Sequence, residues 1–507
     1  MGRLALMSCP ADPRAGSRPA LQANGWPDEL ADMGVAALPS SSRRSARAMS
    51  AIVAALVAAC AGPDATVPGA DPIRAAYVVL GEGGSSIARV ITTDPACPSV
   101  DVDGQRLATT IRAVPETMPL RPTKSAPAES KPSAFPVLVC ERALPADAGR
   151  ASVGGHTLPL LRHDARRIVV IGDTGCVVQN AEVQACNDAA AWPFARLATA
   201  AAAKKPDLVI HVGDYHYREN ACPDGNRKCS GSPWGYGWDA WAADFFAPAR
   251  DLLAAAPWVF VRGNHESCNR AGQGWWRFLD PRPLVNGRDC IDPSNDLRGD
   301  YSDPYAVPLS ADTQLIVFDS SRVGIAPLRV DNPMYAIYSA QFRSAMELAR
   351  GAAHNFFIDH HPILGFATDT SKRPAGVYPG NAALQSVLAA SNGQPLFPPG
   401  IDALLSGHNH LFEAVSFATG QPPQFISGNG GTWLDEPLPR PLSPDARPAA
   451  GAVVATMIAS STFGFLTLQR DSGAASWRVE AWDRDGRLLT RCALLERRTT
   501  CVPEDLQ

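Results

Sequence analysis

Residues 167–175 read Arg167, Ile168, Val169, Val170, Ile171, Gly172, Asp173, Thr174, Gly175. Four β-branched residues in a row do not alternate with polar ones, so this run predicts a strand covered on both faces. The polar turn that follows sits where such a strand must leave its sheet. The same sentence recurs four times. Leu208–Val212 runs into Gly213, Asp214, Tyr215, His216 and Tyr217, and Trp258–Val261 into Arg262, Gly263, Asn264, His265 and Glu266. Asn355–Ile358 runs into Asp359, His360, His361 and Pro362, and Ile401–Leu405 into Ser406, Gly407, His408, Asn409 and His410. A further apolar run, Gln314–Phe318, lies between the third and the fourth of these. Helix-like segments near 188–204, 239–255 and 339–350 separate these runs, and strand-like Phe463–Leu468 and Ser476–Trp482 follow them. Doubly buried strands alternating with helices define an α/β layered fold. In such sheets ligands gather beyond the carboxyl ends of the strands, so the five polar clusters are expected to converge. A glycine before the polar residue is expected to let the backbone turn sharply there.

Outward from this core, residues 73–162 carry short β-like runs (Ala75–Leu80, Ala88–Ile91, Val137–Cys140) between Pro- and Gly-rich turns, and read as a small β-rich domain. Pro115–Pro136 within it reads as an exposed loop. Residues 491–507 read as a C-terminal tail carrying a candidate disulfide. Before position 73 the texture is different. Residues 1–48 lack periodicity and read as disordered or as a mis-assigned start. The basic stretch Ser42–Arg47 then precedes the apolar run Met49–Ala59, which ends in Val57, Ala58, Ala59 and Cys60. This order fits a secretory signal over 49–60. Its end resembles the lipobox of bacterial lipoproteins, with Cys60 as the lipidated residue and 61–72 as a tether. The expected location is therefore the periplasm or outer membrane of a bacterium, with membrane contact only through the lipid.

With Cys9 and Cys60 set aside, ten of the twelve cysteines remain, and they support export independently. They fall largely into short-spaced pairs and contain no CxxC, which favours disulfides over zinc. A sequential pairing is expected: 97–140, 176–186, 222–229, 268–290 and 492–501. The composition excludes several classes. Of 507 residues, 46% are hydrophobic and 19% charged, and Lys+Arg 46 against Asp+Glu 50 leaves a net charge of −4. Collagen, coiled coils and disordered chains do not look like this. Nor does a nucleic-acid binder, which shows a basic excess or face. The apolar run at 49–59 is too short to span a bilayer.

The strand-end clusters supply two Asp, an Asn, a Tyr and several His. Oxygen and imidazole donors of this kind suit iron, manganese or zinc rather than a thiolate site. There are too many donors for one ion. A shared carboxylate between two ions about 3.5–4 Å apart is the arrangement that clamps attacking and leaving oxygens in phosphoryl displacement. Here the ordered set GDTG, GDYHY, GNHE, FIDH and GHNH, spread over about 240 residues, resembles that of the calcineurin-like metallophosphoesterases. It is similar in particular to the purple acid phosphatase branch. The wider superfamily has a His in the first motif; here Gly175 stands in its place and Tyr217 takes over as a ligand. Phe357 stands where the fourth motif usually has Val.

The resemblance implies a four-layer fold over 166–490, in which two mixed β-sheets pack together between helices. It implies that Asp173, Asp214, Tyr217 and His410 hold a first ion, Fe(III), and that Asp214 bridges to a second. Asn264, His360 and His408 would complete the second, as Fe(II), Zn or Mn. His265 would orient the phosphate or protonate the leaving alkoxide, with Glu266, His216 and His361 as supporting or substrate-contacting residues. His216 is equally well a solvated loop residue. The Trp234–Trp241 segment reads as an aromatic cluster or a substrate-shaping lid, and Gly428–Gly431 as scaffolding of the site. The implied activity is hydrolysis of phosphomonoesters by direct attack of metal-bound hydroxide. Two other readings share the motifs: a phosphodiesterase or nucleotidase with the same core, and a non-catalytic surface lipoprotein with a structural metal site. Substrate identity and oligomeric state are not legible.

Overall fold

The computed structural model describes residues 71–470 and 476–503. The leader, Cys60 and nearly all of the tether lie outside the described residues. Two large sheets dominate. The first has eleven strands, ordered 498–503, 488–495, 477–483, 464–470, 167–171, 208–211, 258–260, 73–80, 86–92, 138–143 and 110–113. The second has seven: 305–308, 313–317, 354–358, 401–406, 424–427, 412–417 and 454–460.

Period-two geometry sorts the apolar runs into layers. Ile168 and Val170 point into the core between the two sheets, where they meet Leu315, Val317, Phe356, Ile358, Ala403 and Leu405. Val169 and Ile171 point the other way, against Phe194, Leu197, Trp241 and Phe245 of the helical segments Phe194–Ala202 and Trp238–Ala255. On the far side, Ile316, Phe357 and Leu404 pack under the helices Pro333–Ala349 and Ala382–Asn392. The result is helix, sheet, sheet, helix: a mixed α/β fold in four layers. Phe357 fills a core position, stacked near Phe342.

The region 73–162 is β-rich as expected, but it is not set apart. Ile73–Leu80 pairs parallel with Trp258–Phe260 inside the large sheet. Tyr77, Val78, Val79 and Leu80 are all fully buried, which only a strand covered on both faces can be. That non-alternating run already had the signature of the later strands. Arg89 and Arg112 bind the region to the rest. Their guanidiniums donate to the backbone carbonyls of Trp276, Phe278 and Asp280 at the end of the helix Gly272–Phe278. Both also pair with Glu141.

Three further expectations need correction. Pro115–Pro136 is largely exposed as expected, but it is not all loop: Glu116–Met118 pairs with Ser133–Phe135, and Met118 and Phe135 are buried in the outer core. Its Pro and Lys content hid two apolar anchors. The described part of the 491–507 tail is largely sheet, because Leu488–Leu495 and Arg498–Pro503 form the last hairpin, with Cys492 opposite Cys501. The helix expected near 239–255 is interrupted by a wider turn of π type at Ala242–Phe246. The five expected disulfides are all formed. No described helix is long and apolar enough to cross a membrane.

Candidate metal centre

The strands 167–171, 208–211 and 258–260 run parallel, so the turns after them lie at one edge of the first sheet. The strands 354–358 and 401–406 are parallel in the second sheet and present their turns at the same seam. Asp173, Asp214 and His408 each adopt a positive φ, 55°, 58° and 68°. That left-handed conformation is uncommon for residues with a side chain and clusters at functional sites. The sharp turn expected of the preceding glycine is therefore made largely by the polar residue itself. Gly213, at φ 105°, is the case where the glycine turns as well.

The seven expected ligand side chains come together in two overlapping sets. In the first, the Tyr217 hydroxyl donates to Asp214 Oδ2 at 2.8 Å and lies 3.1 Å from His410 Nε2 and 3.4 Å from Asp173 Oδ1. His410 Nε2 is 3.5 Å from Asp173 Oδ1. In the second, Asn264 Oδ1 lies 3.0 Å from His360 Nε2 and 3.1 Å from His408 Nδ1. His360 Nε2 is 3.3 Å from Asp214 Oδ2. One oxygen of Asp214 thus belongs to both sets.

These separations fit metal ions. Two ligands about 2.1 Å from one ion and at right angles lie roughly 3 Å apart. The charge balance fits as well. Asp173 and Asp214 are buried, and among the described residues every ion pair to either comes from a histidine. Buried carboxylates without a cation are costly. Burial pushes Asp173 up to about 6. Burial opposes charge on His360 and His410 too, but Asp214 outweighs it for the first and the Asp173 bond for the second, raising them to about 10 and about 9. His408, buried beside His360, falls to about 3. Burial and the two carboxylates hold the Tyr217 phenol well above its usual range, so a cation is what would ionise it.

The surroundings orient these side chains in a way that suits metal binding. His360 Nδ1 donates to the carbonyl of Val212 at 2.8 Å, which leaves Nε2 with its lone pair free. Gly175 has a steric reason: a Cβ there would lie 2.8 Å from Tyr217 N and 2.9 Å from Tyr217 Cδ2. A side chain at 175 and the phenol at 217 exclude one another, so in this chain the glycine at 175 makes room for the tyrosine.

His265 stacks on Tyr217, with ring centroids 3.7 Å apart, and its Nε2 lies 3.8 Å from Asp214 Oδ2. Its Nδ1 lies 2.7 Å from Arg270 Nη2, 2.8 Å from Glu219 Oε1 and 3.1 Å from the His216 carbonyl, one donor against two acceptors. Arg270 reaches the same spot and serves Glu219, whose carboxyl it holds down at about 2 against the effect of burial. Glu266 is fully buried and accepts from the backbone N–H groups of Gly263, Asp214 and Tyr215, tying two motif turns together. His361 lies beside His408, with ring centroids 4.3 Å apart. His216 does not face the centre and is not solvated. Its ring is fully buried against Tyr236 and Trp241, and only its backbone serves the site, the N–H donating to Glu266 and the carbonyl facing His265. Trp241 belongs to the aromatic core rather than to a lid. The turn Gly428–Gly431 closes on the first motif, with Gly430 N donating to Gly172 O.

Four residues escaped the sequence reading. Glu219 and Arg270 support His265. Asp435 Oδ2 accepts from His410 N at 2.9 Å. Asp244, within the π-type turn, accepts from the backbone N–H groups of Cys176, Tyr217 and Arg218 and from Arg218 Nε. An acidic residue two places after Tyr217 was a visible signal; the other three lie too far from any motif.

No curated protein matches the chain. Among solved structures, the purple acid phosphatase PPD1 from yellow lupin (Lupinus luteus) seeds is similar at 13% identity and TM-score 0.49, covering 85% of this chain and 74% of that one. PhoD is similar at 10% identity and TM-score 0.47, covering 85% and 92%. GAP50, the anchor in the inner membrane complex of Plasmodium, is similar at 10% identity and TM-score 0.36, covering 66% and 90%. In sequence, residues 166–412 match the calcineurin-like phosphoesterase family. The motif turns lie inside that span, so residues 166–412 are a calcineurin-like phosphoesterase domain and the chain is a hydrolase of phosphoric ester bonds.

Proposed function

We propose that this chain is an exported phosphatase of the purple acid type that hydrolyses phosphomonoesters at a pair of metal ions. The observation that carries the reading is Asp214 Oδ2, 2.8 Å from the Tyr217 hydroxyl and 3.3 Å from His360 Nε2, shared between two donor sets. Asp173, Asp214, Tyr217 and His410 would hold Fe(III), because a phenolate marks a hard trivalent ion. Asp214, Asn264, His360 and His408 would hold Fe(II), Zn or Mn. When bound, the ions supply an activated water and neutralise charge on the phosphoryl oxygens.

The chain's own residues do the rest. With Nδ1 anchored among Arg270, Glu219 and the His216 carbonyl, His265 presents Nε2 toward the seam. A proton carried on that Nε2 is placed for donation to the leaving alkoxide oxygen. Glu219 stabilises the ring while it is charged. Glu266 and Asp244 hold the motif turns so that the donor atoms need not reorganise during the reaction.

Export rests on the five disulfides, which persist in oxidising compartments. With Cys60 lipidated, the protein would sit in the periplasm or on the outer membrane of a bacterium. The mass of the mature N-terminus tests that part directly.

The catalytic reading is tested by metal analysis with visible spectroscopy, and by turnover of aryl and alkyl monoesters beside diesters. Two ions per chain, a tyrosinate-to-iron charge-transfer band lost in Tyr217→Phe, and preferred monoester turnover are expected. Metal-replete protein that releases no phosphate between acid and neutral pH refutes it.

A further inference from the structure

The strand Thr313–Val317 lies beside His354–Ile358 in the second sheet, and its end carries Ser320. No site role attaches to that strand end in the motif set. Ser320 is fully buried, and its hydroxyl oxygen has three neighbours. The backbone N–H of His360 donates to it at 3.2 Å and that of His361 at 3.1 Å. The third neighbour is His361 Nδ1, at 3.0 Å.

A hydroxyl has two acceptor lone pairs and one proton. Two backbone N–H groups can only donate, so they occupy both lone pairs. The Ser320 proton must then go to His361 Nδ1, which accepts it. A neutral imidazole that accepts at Nδ1 carries its own proton at Nε2. His360, the adjacent residue, is set the opposite way: its Nδ1 donates to the Val212 carbonyl and its Nε2 has the lone pair.

His361 is grouped with the ligands nonetheless. A ring nitrogen of His361 lies within 4.8 Å of nitrogens of His360 and His408. Its ring packs on His408, and among the described residues its Nε2 has no hydrogen-bond partner. Proximity alone would make it a third imidazole ligand. The hydrogen-bond count makes it a donor.

Resting on the phosphoesterase reading above, we propose that His361 donates its Nε2–H to a phosphoryl oxygen of the substrate, held in that tautomer by Ser320, and does not bind metal. It is then a fixed donor beside the second donor set, aimed at charge carried by the phosphoryl group.

The test compares wild type, His361→Ala, His361→Gln and Ser320→Ala as metal-loaded full chains. Metal content per chain is measured, and the dissociation constant of inorganic phosphate is determined by calorimetry. In His361→Ala the metal content stays at the wild-type value while phosphate binds about 10–100-fold more weakly, the range for a hydrogen bond to a charged group. His361→Gln, which keeps an N–H donor, recovers part of that loss. Ser320→Ala binds phosphate more weakly at full metal content. Loss of one ion per chain in His361→Ala overturns the proposal in favour of a ligand, and unchanged phosphate affinity there overturns it outright. The His361 variants decide the matter even where Ser320→Ala fails to fold. Wild type that holds two ions but binds no phosphate and turns over no ester overturns the phosphoesterase reading itself, a result distinct from either.

Discussion

The pairing of Gly175 with Tyr217 gives the sharpest test of the site. In Gly175→Ala the new methyl would meet Tyr217 N at 2.8 Å, Tyr215 O at 2.9 Å and Tyr217 Cδ2 at 2.9 Å. Two of these are backbone atoms, so no rotamer change relieves them. Reaching ordinary contact requires a retreat of about half an ångström. The phenol has nowhere to go: its N–H is held by Asp244, its hydroxyl by Asp214, and His265 covers its ring. Overpacking of this kind costs about 1–3 kcal/mol of stability. The effect on function is larger, since a misplacement on the order of 1 Å can cost about 100-fold in rate. Gly175→Ala is therefore expected to lower kcat by about 10–100-fold and to shift or bleach the visible band, while the thermal midpoint falls by only a few degrees. The readouts are iron content, absorption spectrum, kcat and a melting curve on one preparation. A Gly175→Ala variant with full iron, an unshifted band and wild-type kcat would show that position 175 is not reserved for the phenol.

Three further outcomes are expected. Asp244→Asn breaks a buried pair with Arg218 and turns an amide NH2 donor toward N–H donors, so about 3–5 kcal/mol of stability is lost; a melting curve within a degree of wild type contradicts this. Arg112→Met removes the donor shared by the carbonyls of Trp276, Arg277 and Arg282. Protease sensitivity of the 73–162 region should then rise together with that of the phosphoesterase domain, whereas cleavage confined to 73–162 would mean the two fold separately. Glu413 is fully buried, and burial pushes its carboxyl up to about 8. The folded state keeps a proton that the unfolded chain releases above its usual value near 4.5. That contribution to stability is present below about 4.5 and is lost as pH rises toward 8, by up to about 5 kcal/mol. Glu413→Gln should flatten the stability profile across this window, and an unchanged slope contradicts the assignment.

What was legible in the sequence follows the range over which each signal acts. Ile168–Ile171 and its counterparts declared themselves through unbroken apolar runs, and the residues after them through chemistry unusual for turns. Phe412–Phe417 and Gln424–Ser427 did not, because Glu413 and Gln424 interrupt the pattern with buried polar groups whose partners are distant. The joining of Ile73–Leu80 to Trp258–Phe260 depends on pairing across 180 residues of chain, which no local pattern encodes. His216 shows the converse failure. Its neighbours in sequence are ligands, yet a strand end turns successive side chains to opposite sides, and its ring enters the aromatic core. Glu219 was within reach of the reading; Asp244, Arg270 and Asp435 were not, since each meets the site only through the packing of another element.

The placement of the proposed ligands explains why strained backbone survives here. Asp173, Asp214, Tyr217 and Asn264 come from one sheet, and His360, His408 and His410 from the other, so every donor set spans the seam. A left-handed conformation at a residue with a side chain costs on the order of 1–3 kcal/mol. Three such residues would relax if their turns were free. They are not: Asp173 N donates to Gly213 O, Asp214 N to Glu266, and His408 N to Asp173 Oδ2. Each strained turn is thus held by another motif turn, and one of these bonds crosses between the sheets. Ordinary turns at these five strand ends would point the side chains outward, as turns on a surface do. The same local strain that disfavours each turn alone aims the carboxylates and the imidazole at one another, and the mixed parallel sheets on either side make the geometry rigid enough to keep it.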